Sequence, residues 1–129
     1  MITNLRMDLF EALVRSAPEL APALVAANIT VEVCLTSNIG NGFKVASYAE
    51  HPAQLLAAAG VKFSLSSDNL LLSGDALHAA SPTAELLHLV RDLGLGWAAA
   101  RDSVLAGLAA AFSPSVTPQF VQSVAARLV

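Results

Sequence analysis

The sequence has few of the residues that mark secreted, disulfide-stabilised or nucleic-acid-binding proteins. Its single cysteine, Cys34, excludes an internal disulfide. Charged residues make up only 13% of the 129 residues, and no basic block occurs. The charge pattern therefore predicts no nucleic-acid partner. The first residues, "MITNLRMDLFEALV", lack the charged-then-apolar layout of a secretory signal, which favours a cytoplasmic location.

The sequence also lacks a long uninterrupted apolar run, although apolar residues make up 55% of it. Residues 20–35 are interrupted by Pro22 and Glu32, and residues 93–112 are interrupted by Arg101. A membrane-spanning helix needs roughly 18 uninterrupted apolar residues, so no membrane segment is expected. The length fits one small domain, which must bury most of its surface or find a partner.

Two strand-like segments stand near the middle of the chain. Residues 30–35, "TVEVCL", are β-branched and nearly continuous in apolar character, which predicts a strand covered on both faces. Residues 61–66, "VKFSLS", alternate as a strand does. A turn-rich loop at 36–42 and a helix that starts at Pro52 and ends before Gly60 lie between them. This order predicts a βαβ unit with two parallel strands.

Helical patterns fill most of the remaining sequence. Residues 6–15 place their apolar side chains on one helix face. Ser81 fits a helix cap, Pro82 the first helical position and Gly94 the end of the same helix. The other helices are expected over residues 18–28 and 97–112 and from Thr117 onward. The pattern as a whole predicts an α/β fold.

Two parallel strands alone leave both edges of a sheet unpaired. Four side chains that normally lie in a core are expected to be partly wet: Val31, Val33, Phe63 and Leu65. Each forgoes about 1.5–3 kcal/mol when it is exposed. We therefore expect a homo-oligomer, a complementing chain, or N-terminal helices that fold over the open side.

Three blocks of the sequence, in the same order, resemble the C-terminal part of the adenosine deaminase family. They are "VEVCLTSN", "HPAQLLAAAGVKFSLSSDN" and "AAAFSP". In the family the seventh barrel strand reads like "EVCPTSN" and the eighth like "VSLNTDDP". The resemblance covers residues 24–114, and it makes residues 1–129 a single partial domain. It implies a partial (β/α)8 TIM-barrel segment and zinc-dependent hydrolytic deamination of adenosine, or of another 6-aminopurine such as adenine, in purine metabolism.

The resemblance implies two site residues at the end of the second strand. Asp68 matches the family's zinc-ligating aspartate, at the strand end where barrel active sites assemble. Asn69 matches the family's second aspartate, which contacts the purine at N7. An amide has N–H donors for N7 without needing a proton. Without the flanking blocks, both residues are also typical of a turn after a strand.

The family's other metal ligands and its glutamate acid/base have no counterpart in the sequence. No "HxH" pair occurs, and the three histidines stand in other contexts. Three protein ligands are usual for catalytic zinc, so we assign no catalytic residue and expect the chain alone to be inactive. The alternative is a non-catalytic, truncated or diverged relative that binds a purine nucleoside, binds a partner or self-associates.

The remaining polar residues near these blocks are expected to be structural. His51 precedes Pro52 and is interpreted as a cap of the following helix. Cys34 is expected to be a small core residue, and Glu85 a solvated or structural one. His78 and His88 are expected to lie on the surface or to pack. Ser37 and Asn38 are expected to set the loop after the first strand, and the resemblance implies a pocket-lining role as the alternative, because this loop lies near the site in the family.

Overall fold

The computed structural model describes residues 19–40, 45–68 and 81–128. The predicted helix at 6–15 lies outside these ranges. In the described part of the chain, no helix is long and apolar enough to cross a membrane. The elements are α1 (Leu20–Ala26), β1 (Val31–Val33), α2 (Leu35–Gly40), a 3₁₀ turn (Tyr48–Glu50), α3 (Ala53–Ala58), β2 (Phe63–Leu65), α4 (Pro82–Arg91), α5 (Gly96–Ala109) and α6 (Pro118–Ala125).

The two strands pair in parallel, as the βαβ order predicts. Val31 lies opposite Phe63, and Val33 lies opposite Leu65. Both strands are shorter than predicted, with three residues each. The strand β1 ends at Val33 because α2 begins at Leu35, a residue that the sequence analysis places in the strand. The prediction of an α/β fold of the partial (β/α)8 TIM-barrel type, with two parallel strands and several helices, is confirmed.

The sheet has one apolar face, which the helices cover, and one polar face. Val33 and Phe63 are buried on the apolar face, with 0% and 7% of their surface exposed. They belong to one core cluster with Leu56 of α3 and Leu89 of α4. Glu32, on the opposite face, is exposed. The prediction that β1 is covered on both faces is therefore wrong, and so is the expectation that Val33 and Phe63 are wet.

Helix α5 covers part of the free edge of β2. Successive N–H groups of a strand point to opposite sides, and the Ser66 N–H donates to Val33 of β1. The Leu65 N–H therefore points away from β1, and the Ser103 hydroxyl accepts it at 3.1 Å. Gly107, one turn further along α5, allows the helix to approach Ser64 closely. A Cβ atom at Gly107 would lie 3.2 Å from the Ser64 Cβ.

Replacing Gly107 with leucine is expected to lower the free energy of unfolding by about 1–3 kcal/mol, because the new side chain pushes α5 away from β2. Urea unfolding at pH 7 measures the difference. The matched control is Ala106→Leu, since Ala106 lines an open cavity and has room for a larger side chain. The control is expected to change stability by less than about 0.5 kcal/mol. Equal losses for the two variants would contradict the close approach of α5.

The helix caps and helix ends predicted from the sequence are confirmed where the structure describes them. Ser81 accepts the Ala84 N–H at 3.2 Å at the start of α4, and Thr117 accepts the Phe120 N–H at 3.2 Å at the start of α6. Gly60 ends α3 with φ +71°. These caps fix where the helices begin and end.

Candidate functional site

Asp68 lies at the C-terminal end of the parallel strands, just after β2. Its backbone has φ +54°, in the left-handed region that residues other than glycine rarely adopt. The Ser37 hydroxyl donates to Asp68 Oδ2 at 2.7 Å, which holds the exposed carboxylate against α2. Asp tolerates this backbone conformation better than most residues. A strained residue held in this way at a strand end is typical of functional sites.

Helix α2, which supplies Ser37, occupies residues that the sequence predicts to be a loop. The helix runs over Leu35–Gly40, so the prediction of a loop at 36–42 is wrong for most of that segment. The Asn38 N–H donates to the Cys34 carbonyl at 3.0 Å, which puts Cys34 in the capping position. Cysteine is not among the side chains that cap helices well. The side chain of Cys34 is therefore a poor cap for the first N–H groups of α2.

Glu85 of α4 provides a partner for these N–H groups. Its Oε2 accepts the Leu35 N–H at 2.8 Å, and its Oε1 accepts the Thr36 N–H at 3.2 Å. The side chain is 0% exposed. Burial raises the pKa of the Glu85 carboxyl, and the hydrogen bonds from Thr36 and Leu35 act in the opposite direction. The expected structural role of Glu85 is confirmed, but the alternative that it is solvated is wrong.

His51 links α2 to α3. Its Nδ1 accepts the Ala53 N–H at 3.1 Å, and its Nε2 lies 3.0 Å from the side-chain amide of Asn38. Because Nδ1 accepts the Ala53 N–H, the neutral ring carries its proton on Nε2, and only the amide oxygen of the Asn38 side chain can accept that proton. Burial, with 1% of the residue exposed, lowers the pKa of His51 to about 4. The predicted capping role of His51 is confirmed through Nδ1, while Nε2 faces α2.

Cys34 is half-buried and lies beyond the end of β1, rather than within a buried strand. Burial raises the pKa of its thiol to about 12, and the nearby carboxylates of Glu32, Asp68 and Glu85 add to the effect. The thiol is therefore neutral at pH 7. Reactive cysteines need the thiolate form, so Cys34 is not an activated nucleophile.

His88 packs on the surface, as expected. Its ring stacks on Tyr48 with centroids 4.0 Å apart, and its Nδ1 lies 2.6 Å from Asp92 Oδ2. The Tyr48 hydroxyl in turn lies 3.0 Å from the Thr36 hydroxyl of α2. Two other predicted residues, Asn69 and His78, lie outside the described residues.

The described residues do not by themselves fit a zinc site. Across residues 19–40, 45–68 and 81–128, no group of three or more His, Cys, Asp or Glu side chains is placed to hold a metal ion. Catalytic zinc usually takes three protein ligands. Asp68 therefore offers one carboxylate for such a site, and the described part of the chain does not complete a set of three ligands around it.

A cavity of about 910 Å³ opens on the polar face of the sheet. Glu32 and Ser64 line the cavity on the sheet side. Residues of α5, of α6 and of the segment between these helices line it on the opposite side. Phe112, between these helices, is 76% exposed, and no residue of α6 is buried. In a closed (β/α)8 barrel the helices cover the outer face of the strands and the other face points inward. In this chain α5 and α6 lie across the cavity from the polar face, and Gly107 of α5 approaches Ser64 closely.

Two parallel strands packed against helices, with a held carboxylate after the second strand, are compatible with a segment of a (β/α) barrel. The family model described as adenosine deaminase matches residues 8–123. The chain belongs to the adenosine deaminase family. No solved structure matches the chain.

Mycobacterial adenosine deaminases are among the relatives. The protein of Mycobacterium tuberculosis strain H37Rv is 36% identical over 95 residues, which cover 74% of this chain and 24% of that protein. The protein of Mycobacterium sp. strain KMS is 40% identical over 78 residues, 60% of this chain and 20% of that protein. The chain thus spans about a fifth to a quarter of the length of the curated relatives it matches.

Proposed function

We propose that this chain supplies one part of an adenosine deaminase active site. In this proposal Asp68 is a metal-ligating carboxylate and Asn69 contacts the purine base. The reaction replaces the 6-amino group of adenosine with oxygen from water and releases ammonia, so that inosine forms. The substrate class is a 6-aminopurine nucleoside. The other metal ligands and the acid/base group come from residues beyond this chain.

The observation that carries this proposal is the geometry of Asp68. A carboxylate that serves as a ligand needs a fixed position, and the Ser37 hydroxyl, which donates to Asp68 Oδ2 at 2.7 Å, holds this one. It also lies at the end of the strands where barrel enzymes assemble their sites. An aspartate that only forms a turn needs neither the hydrogen bond from Ser37 nor a place at the C-terminal end of the strands.

The open side of the fold supports the view that further chain completes the site. The cavity of about 910 Å³ separates the polar face of the sheet from α5 and α6, and no residue of α6 is buried. The relatives are several times longer than the aligned segment. A homo-oligomer or a complementing chain as the source of the missing part stays a prediction, as does a cytoplasmic location.

A chimera tests the proposal directly. Residues 24–114 of this chain replace the corresponding segment of the Mycobacterium tuberculosis adenosine deaminase, and inosine formation and zinc content are measured. We expect turnover and bound zinc in the chimera. Asp68→Ala in the chimera is expected to lower turnover by more than about a hundredfold, beyond the loss seen when a group behind a ligand is removed.

The matched control is Ser67→Ala, which changes the residue next to Asp68 and has no proposed role. It is expected to keep both turnover and zinc. A folded, zinc-containing chimera in which Asp68→Ala changes neither quantity would overturn the assignment of Asp68. The chain by itself is expected to form no inosine when zinc is added.

A non-catalytic binding module is the second candidate. Its support is the exposed apolar surface, which includes Trp97 at 67% exposure and Phe112 at 76%. Such a module is expected to self-associate in sedimentation velocity runs, or to bind adenosine in equilibrium dialysis without converting it. A monomer that does not bind adenosine would exclude the binding module and leave the active-site segment as the remaining candidate.

A further inference from the structure

The first turn of α2 depends on a residue far away in the sequence. Glu85 is 50 residues from Leu35 and 49 from Thr36, yet it accepts both N–H groups. Helices begin with N–H groups that need partners, and a local Ser, Thr, Asp or Asn usually accepts them. Here Cys34 stands in that position. The carboxylate of Glu85 therefore replaces the missing local cap.

The same helix holds Asp68. Ser37 is the third residue of α2, and its hydroxyl donates to Asp68 Oδ2 at 2.7 Å. Leu35, Ser37 and Asn38 are all buried, so the helix has little room to move while its first turn stays intact. The position of the Ser37 hydroxyl is thus set by the turn that Glu85 caps.

We propose that Glu85 is a positioning residue for Asp68, acting through the first turn of α2 and the Ser37 hydroxyl. The significance of this link for deamination rests on the proposed function of Asp68. The link joins α4, which follows β2, to the segment that follows β1. It thereby couples the two strand ends on which the site is built.

The burial of Glu85 supports a role beyond packing. A carboxylate with 0% exposure is unfavourable unless hydrogen bonds compensate its loss of water. An apolar residue on α4 would fill the space without that loss, but it would leave the N–H groups of Leu35 and Thr36 unpaired. The carboxylate is the side chain that satisfies both donors at once.

The test measures the Asp68 carboxyl group by carbon NMR in the isolated chain, with the signal assigned from its disappearance in Asp68→Asn. Ser37→Ala shows how far the signal moves when the hydrogen bond is lost. Glu85→Asp keeps the charge but withdraws the oxygens by about 1.5 Å, one carbon–carbon bond. We expect it to move the Asp68 signal in the same direction as Ser37→Ala. The Leu35 and Thr36 amides should exchange about tenfold faster, as the loss of one hydrogen bond predicts.

Two further variants separate positioning from general destabilisation. Glu85→Gln keeps one acceptor oxygen and is expected to restore most of the original Asp68 signal. Ser81→Ala removes the cap of the same helix, α4, without touching Leu35 or Thr36. It is expected to lower stability and to leave the Asp68 signal in place.

Two results would overturn the proposal. One is an unchanged Asp68 signal in Glu85→Asp while the Leu35 and Thr36 amides exchange faster. The other is an equal movement of the signal in Ser81→Ala, which would mean that any loss of stability in α4 has the same effect. Neither result depends on inosine formation, so an inactive chimera and a failure of this link are distinguishable.

Discussion

Glu85→Ala is expected to lower the free energy of unfolding by about 3 kcal/mol at pH 7. The substitution leaves the Leu35 and Thr36 N–H groups without their acceptor, and each unpaired buried donor costs about 1–3 kcal/mol. The buried carboxylate also costs free energy because it has lost its water, and its removal offsets part of this loss. Domains typically have a free energy of unfolding of about 5–15 kcal/mol, so this loss is a large fraction of the total.

Urea unfolding of the purified variants checks this value. Glu85→Gln is the matched control, because it keeps the size of the side chain and one acceptor oxygen. It is expected to lose about 1 kcal/mol, the typical contribution of one hydrogen bond. Equal stability of the alanine variant and the original chain would show that water or another group satisfies the first turn of α2.

Acidification from pH 7 to below pH 4 is expected to remove about 3 kcal/mol of stability through His51. Its pKa is about 4 in the folded chain, against 6.5 for an ordinary histidine. Each unit of difference corresponds to about 1.4 kcal/mol. The folded state favours the neutral ring, so the contribution of His51 is complete above pH 6.5. It is lost progressively as the pH falls from 6.5 towards 4.

Comparison with His51→Gln isolates this effect. Glu85 contributes with the opposite sign, because its folded pKa is raised: its contribution is complete below about pH 4.5 and declines as the pH rises through the raised value. Both chains carry Glu85, so its contribution cancels in the difference. The gap between the two stability curves should close or reverse towards pH 4. Parallel curves would mean that the pKa of His51 is the same in the folded and the unfolded chain.

The features that sequence reasoning predicted well depend on neighbours along the chain. The caps at Ser81 and Thr117 and the role of His51 each involve residues no more than three positions away. The βαβ order is read from local periodicity in the same way. Local patterns fix these elements because the interacting groups are already adjacent in the sequence.

The features that were missed depend on distant residues. Helix α2 was expected to be a loop because its cap, Glu85, comes from another helix. The strand β1 was expected to be covered on both faces because its sequence does not show that only one face meets the helices. For the site, the resemblance points to Asp68 and includes Ser37 in its first block, but the hydrogen bond between the Ser37 hydroxyl and Asp68 follows from the position of α2.

The long separation between Glu85 and the helix it caps also has a consequence for folding. Contacts between residues far apart in the sequence require closure of a large loop, and they form later than local ones. Helix α2 has six residues, too few to be stable alone in water. It is therefore stable only after α4 has packed on the sheet and brought Glu85 to its first turn. We therefore expect the bond between Ser37 and Asp68 to form only after α4 has packed.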